Sequence, residues 1–533
     1  MRTVFHNGVV HARADGVEVS VVVVEDGRIV WLGSTDQLGA LDPDDVVVDL
    51  DRAFVAPAFV DAHVHLLETG LALAGVDLAS ATSLGAALDR IERAASHDMD
   101  PVLAHGWDES GWPERRPPTR TELDRAGGGR AVYAARADLH SAVVSSALAA
   151  SAGCAEVEGW REDGLVTGDA HARARRAIRD LPEDRRMEVC GAALADAAAQ
   201  GLVSVHEHSN AVLDTRESLA SLIAATSEPG PGLPEVVGYR GELCETVDDA
   251  HALLEEIPDL TGIGGDLVVD GSLGSRTAAL RSPYADGEPG HRGVLHLTAE
   301  QIADHVVAVT RAGRQAAFHV IGDRAMEEVL LGFQAASEVD GLEHLRGMGH
   351  RIEHAEMVDT AAMARILLFG LIVSGQPAFD ATWGGPEGMY AQRLGRTRAG
   401  DMNPYADLLD AGVPLAFGSD SPVTPFDPWG GVRAAVHHTE ASERLTPLSA
   451  FRAHTVGGWH AAGRTGAGIG ELKVGAPAHF AVWRVARLAA PTSSRLSAWH
   501  DEPPPLPLPD LAEDLPEPEC VLTVRDGVVI HGR

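Results

Sequence analysis

The chain has 533 residues, 45% hydrophobic and 23% charged, the profile of a globular protein of one elaborated domain or two to three smaller ones. Asp and Glu outnumber Lys and Arg by 78 to 43, and the net charge of −35 argues against nucleic acid and anionic membranes as partners. No run approaches the roughly 18 apolar residues of a membrane span, the first residues lack the basic head and apolar stretch of a secretion signal, and Cys154, Cys190, Cys244 and Cys520 have no CxxC spacing, so a reduced, cytoplasmic protein is expected.

Near the start, "VSVVVVEDGRIVWLGS" reads as two strands around an Asp26-Gly27 hairpin turn. Apolar runs at 59–64, 202–207, 235–240, 266–270, 316–320, 350–354, 371–375 and 414–418 then alternate with Ala/Leu/Arg-rich helical stretches. Eight such units predict a (β/α)8 TIM barrel over 57–465. The interval 66–200 is too long for one crossover and is expected to hold an insertion, with strands of its own near "PVLAHGW" and "RAVYAARAD". After 466, "GAGIGELKVGAPAHFAVWRV" and "CVLTVRDGVVIHGR" are strand-like, so segments 1–56 and 466–533 are expected to pair into one small β domain. Between them, 501–519 reads as a proline-rich surface loop or linker.

The strand ends carry the chemistry. "AFVDAHVHLLETG" holds His63 and His65, which point the same way from a strand and can bind one ion together. With 25 histidines in 533 residues, chance alone gives about one His-x-His pair, and His206-Glu207-His208 is a second. Taken singly, each histidine reads as a satisfied core residue and Asp420 in "GSDSP" as a turn residue. Together, His63 and His65 at one strand end and His319, His354 and Asp420 at three others form a donor set suited to zinc or a similar divalent ion.

The stretches "PAFVDAHVH", "GWDESGWPERRPPTRTELD", "DGSLGSRTAAL", "AFHVIGDRAMEEVL", "RIEHAEMV" and "GVPLAFGSDSPV" resemble the amidohydrolase superfamily, and within it the amidohydrolase 3 branch that includes N-substituted formamide deformylase-like proteins. The resemblance implies the same barrel with a small β-sandwich built from both termini. It implies metal ligation by His63, His65, His319, His354 and Asp420. Asp420 would accept the proton of the attacking water, and the metal, His354 or both would stabilise the oxyanion. Where the branch carries a metal-bridging carboxylated lysine, this chain has Asp266, and its single lysine is Lys473.

Three arrangements follow. A carboxylate bridges two ions, with Asp266 ahead of Asp270 and Glu207. One ion is held by His63, His65, His319 and Asp420, with His354 bonding the water; this is the favoured form. In the third, the site is degraded. Arg276 is expected to hold a substrate carboxylate or carbonyl, or else to pin its own loop. His140 and Trp107 are expected to line the pocket, or else to pack. The activity implied is metal-dependent hydrolysis of a non-peptide C–N bond in a small molecule: an amide, an N-formyl group or a cyclic amide. The rival readings are deamination of a heterocycle and a non-catalytic binding protein. A homo-oligomer is left open.

Overall fold

Eight parallel strands form the central sheet of the computed structural model, which describes residues 2–14, 17–97, 101–230, 232–466, 468–489 and 506–532. They are β1 (Phe59–Val64), β2 (Leu202–Asn210), β3 (Glu235–Gly241), β4 (Gly262–Ile263), β5 (Gln315–Val320), β6 (Arg351–His354), β7 (Ile372–Gly375) and β8 (Leu415–Phe417). Each pairs with the next in sequence. A bridge from Val64 to Ser421, just beyond β8, brings the last strand back to the first. Helices cover the outside, and Val60, Val205, Phe318, Ile352, Val373 and Phe417 belong to one buried core with them. Strands buried on both faces explain the unbroken apolar runs in the sequence.

Seven strands fall where the sequence predicts them, and the fourth does not. Strand β4 ends at Ile263, ahead of the expected 266–270. The cause is Gly264 and Gly265, at φ +128° and +81°. A Cβ on Gly264 would lie 1.9 Å from the Ala317 carbonyl oxygen, and one on Gly265 would lie 2.1 Å from His208 Nδ1. Only glycine fits this turn, which ends the strand and carries Asp266 to the barrel mouth.

The interval after β1 holds a five-stranded sheet of Val76–Asp77, Val102–Trp107, Val132–Arg136, Ala142–Val144 and Leu165–Val166. The strands expected at "PVLAHGW" and "RAVYAARAD" are the second and third of these. Helix Gly168–Arg179 follows the last strand, and helix Glu183–Ala199 leads back to β2.

Both termini build a second β unit. Arg2–His6, Val21–Glu25, Arg28–Gly33 and Val46–Asp49 make a four-stranded sheet. Val9–Val10, Phe54–Pro57, Phe480–Arg484, Glu519–Arg525 and Val528–His531 make a five-stranded one. Phe5, Val22, Phe480 and Val524 share one core between them, and the rings of Phe5 and Phe480 meet edge-on at 5.0 Å. The proline-rich stretch lies outside the described residues at 501–505. Beyond it, Leu508 and Leu511 are buried in the barrel's core, and the Pro507 carbonyl accepts from His11 Nδ1 at 3.0 Å. Residues 508–511 thus form a packed strap, while 513–519 is largely exposed. Among the described residues, no helix is long and apolar enough to cross a membrane.

Candidate metal centre

At the C-terminal mouth of the barrel, Asp266 lies among the histidines. Its Oδ2 is 3.2 Å from His65 Nε2, and its Oδ1 is 3.5 Å from both His63 Nε2 and His319 Nδ1. Asp420 Oδ1 is 3.2 Å from His65 Nε2 and 3.7 Å from His63 Nε2. The His354 ring centroid is 4.4 Å from that of His319 and 4.9 Å from that of His63. Asp420 and His354 have left-handed backbones, φ 56° and 69°. Consecutive residues in a strand normally point to opposite faces. The turn at His354 lets it join the centre directly after inward-facing Glu353.

Each histidine has one ring nitrogen bound away from the centre. His63 Nδ1 pairs with Glu353 Oε2 at 3.0 Å and His65 Nδ1 with the His208 carbonyl at 3.1 Å. His354 Nδ1 pairs with Gln376 Oε1 at 2.9 Å, and His319 Nε2 with the Gly271 carbonyl at 3.4 Å. An acceptor at one nitrogen fixes the proton there and leaves a lone pair on the other. The inward nitrogens of His63 and His354, with Asp266 Oδ1 and Asp420 Oδ1, are buried and have no hydrogen-bond partner. Buried polar atoms are rarely left unpaired. Four converging orphans of lone-pair and carboxylate type fit a cation. His63, His65 and Asp266 form one candidate ligand triad and Asp266, His319 and His354 another, with Asp266 common to both.

The electrostatics agree. Burial opposes charge on His63, yet Asp420, Asp266 and Glu353 hold its pKa well above the usual imidazole value. Burial likewise opposes charge on Asp266, yet His65, His319 and His63 hold it well below the usual carboxylate range. A proton and a metal ion compete for the same nitrogen, so this environment favours positive charge at that point. Behind His63, Glu353 is gripped by Arg351 through bonds of 2.8 and 2.9 Å. His208 stacks on His63 with centroids 3.8 Å apart, and Tyr239 stacks on His208 at 4.9 Å.

A cavity of about 680 Å³ opens over the cluster, with His140, His171, Arg175 and His296 in its walls. A narrow extension of about 30 Å³ is lined by Phe379, Trp383 and Met389. His140 faces both, its ring 5.1 Å from that of His319. Burial and the neighbouring His319 lower its pKa to about 4.

The sequence-predicted residues divide cleanly. His63, His65, His319, His354, Asp420 and Asp266 meet in the centre, and His140 lines the cavity. Arg276 does not line it. Its guanidinium clasps Asp286 at 2.7 and 3.1 Å, which pins its own loop. Trp107 is a packing residue, with Nε1 donating to the Ala134 carbonyl at 2.8 Å within the insertion's core. Asp270 is committed to the backbone amides of Ala279, Ile321 and Gly322, and Glu207 to that of Leu66. Neither bridges the centre. Glu353, Arg351, Gln376 and Arg175 are missing from the sequence reading. The signal for the first two was available, since "RIEH" places two opposite charges inside a buried strand.

A parallel barrel whose C-terminal mouth gathers four histidines and two aspartates defines a class, the barrel scaffolds with a cluster at the mouth that could hold a metal ion. The amidohydrolase family model matches residues 46–531, and the chain belongs to that family. It is similar to the putative amidohydrolase YtcJ of Bacillus subtilis, 26% identical over 477 residues that cover 84% of this chain and 86% of that protein. It is similar to the N-substituted formamide deformylase of Arthrobacter pascens, 25% identical over 497 residues, 86% and 89% of the two chains. Among solved structures, an uncharacterized metal-dependent hydrolase from Pyrococcus horikoshii OT3 superimposes with a TM-score of 0.71 at 26% identity, over 91% of this chain and 98% of that one.

Proposed function

We propose that the protein is a metal-dependent hydrolase of a non-peptide C–N bond in a small amide, N-formyl compound or cyclic amide. One observation carries the reading: every histidine of the cluster has one ring nitrogen bound outward and the other turned toward the two aspartates. Family membership and likeness to an N-substituted formamide deformylase support it. Imidazole and carboxylate donors favour zinc. Cys154, Cys190, Cys244 and Cys520, all unpaired, support a reducing, cytoplasmic setting.

When bound, the ion supplies a water of lowered pKa and polarises the acyl oxygen. Asp420 accepts the proton of the attacking water. As the new C–O bond forms and the C–N bond breaks, the electron pair leaves on nitrogen and Asp420 returns the proton to it. With its Nδ1 proton given to Gln376, His354 presents a lone pair at Nε2. That suits a ligand rather than an oxyanion donor.

The test is elemental mass spectrometry on protein purified without chelator or affinity nickel, joined to a screen of amides, N-formyl amines and cyclic amides beside nucleobases. We expect at least one ion per chain. A value near one would fit the single site, and a value near two would make Asp266 the bridge between both triads. Amine or acid release is expected, cut about 100-fold or more by Asp420→Asn. No metal uptake on soaking, or full activity in Asp420→Asn, would overturn the reading. Ammonia release from nucleobases alone would replace it with deamination.

A further inference from the structure

The insertion places a guanidinium in the wall of the cavity. Helix Gly168–Arg179 begins directly after the insertion's last strand, and Gly168, His171, Ala172 and Arg175 line the cavity from one helical face. Among the described residues, Arg175 is the only arginine or lysine lining it. In a chain of net charge −35, that is a conspicuous placement.

Arg175 is also poorly neutralised. Its Nη2 donates to Glu68 Oε1 at 3.0 Å, but the same oxygen contacts the guanidinium of Arg179. One buried carboxylate thus serves two guanidiniums, and Arg175 Nε is buried with no partner. The acids Glu158 and Asp169, which also line the cavity, are solvent-exposed, where their field is screened. Asp138 is already engaged by Arg136, Ser272 and Ser275. Asp266 and Asp420 act on Arg175 through space but are not hydrogen-bonded to it, and they are the candidate ligands of the ion. A partly buried guanidinium short of acceptors is a receptor for an anionic group, best matched by a planar carboxylate.

The geometry points to Arg175 as the residue that binds a substrate carboxylate, so that the substrate is an amide bearing a free carboxylate, such as an N-acylated amino acid. This rests on the hydrolase reading and narrows its substrate class. The carboxylate is held along the insertion helix while the scissile C–N bond lies over the histidines. The anchor thereby separates substrates from the neutral amides of the same size.

The experiment uses the full metal-loaded chain and a panel of N-acetyl and N-benzoyl amino acids, each paired with its neutral C-terminal carboxamide. Binding is measured by calorimetry, and turnover by release of the free amino acid. Members of the anionic set are expected to bind about tenfold or more tightly than their neutral partners, as a charge-assisted pair predicts. Arg175→Met should erase that preference and Arg175→Lys keep part of it. Glu68 retains Arg179 in both variants, and circular dichroism checks the fold. Equal binding of both members, no binding of either, or an unchanged preference in Arg175→Met would overturn the proposal. Hydrolysis of neutral amides in that case would leave the hydrolase reading standing. Selective binding of the anionic set without turnover of any amide would keep the anion site and remove the hydrolase reading.

Discussion

Glu353 shows how a single side chain governs the centre without entering it. Its carboxylate takes the Nδ1 side of His63 at 3.0 Å and is itself held by Arg351. Replacing such an outer partner costs about 10–100-fold in metal affinity. Glu353→Gln should therefore weaken metal binding by that factor in a competition titration, and lower thermal stability because Arg351 loses its buried counter-ion. Unchanged affinity would mean that His63 is oriented by its stacking on His208 alone. The residues that gather at the mouth were legible in the sequence because the strand-end pattern exposes them: a barrel brings "HVH", "FHV", "IEHA" and "GSDS" together as one candidate site. The paired charges of "RIEH" mark Glu353 and Arg351 as a buried pair but not the contact with His63, and Gln376 was not legible, since its role exists only once strands meet. Arg276 stayed open between a substrate role and a loop pin, because its partner Asp286 lies in a loop that no periodicity places; the structure shows the loop pin. A different buried histidine gives a pH prediction. His454 has no hydrogen bond at either ring nitrogen, and burial lowers its pKa to about 3. The unfolded state, at about 6.5, takes the proton first, so its stabilising effect is complete above that value and is lost as pH falls toward 3. Relative to wild type, His454→Leu should gain about 1.4 kcal/mol per pH unit below 6.5, measured by urea unfolding at several pH values. A difference independent of pH would contradict the assignment of a neutral imidazole.

At the scale of elements, β4 and the turn after it decide where Asp266 sits. The sequence reading put the strand over 266–270 because "DLVVD" is apolar, whereas the glycine pair ahead of it forces the chain out of the sheet at Ile263. Gly264→Ala combines a φ of +128° with a Cβ 1.9 Å from a backbone oxygen, so backbone and ladder must both shift. A loss of about 3 kcal/mol or more is expected, accompanied by weaker metal binding as Asp266 moves. Gly412→Ala is the control. It shares a positive φ, +88°, but a Cβ there meets nothing within 4 Å, so only about 1–2 kcal/mol of backbone strain applies. Equal losses in the two variants would rule out the steric argument. The insertion was legible as an interval too long for a crossover. Its charged contact with the barrel was not, since Arg136 joins Asp138, Glu109 and Asp108 while Arg393 reaches Glu109 from the far side of the chain.

Across the whole molecule, the candidate ligands come from β1, the turn after β4, β5, β6 and the end of β8, positions 63 to 420 in sequence. An ion held by all of them would cross-link the first and last strands where the sheet closes through the Val64–Ser421 bridge. Asp266 Oδ1 and Asp420 Oδ1 are buried without a hydrogen-bond partner, and the neighbouring imidazoles and Arg175 offset their charge only in part. Ion binding to the folded state alone adds about 4 kcal/mol at a free concentration 1,000 times the dissociation constant. Chelation verified by elemental analysis should therefore lower the melting temperature, and stoichiometric zinc should restore it. The loss should also be local. Backbone amides of β1, β5, β6 and β8 are expected to lose hydrogen-exchange protection on chelation. The terminal sheet of Arg2–His6, Val21–Glu25 and Arg28–Gly33, which has its own core, should keep it. Uniform loss over both regions would mean that barrel and terminal sheets unfold as one unit. No loss anywhere would mean that the ion is not a structural link of the barrel.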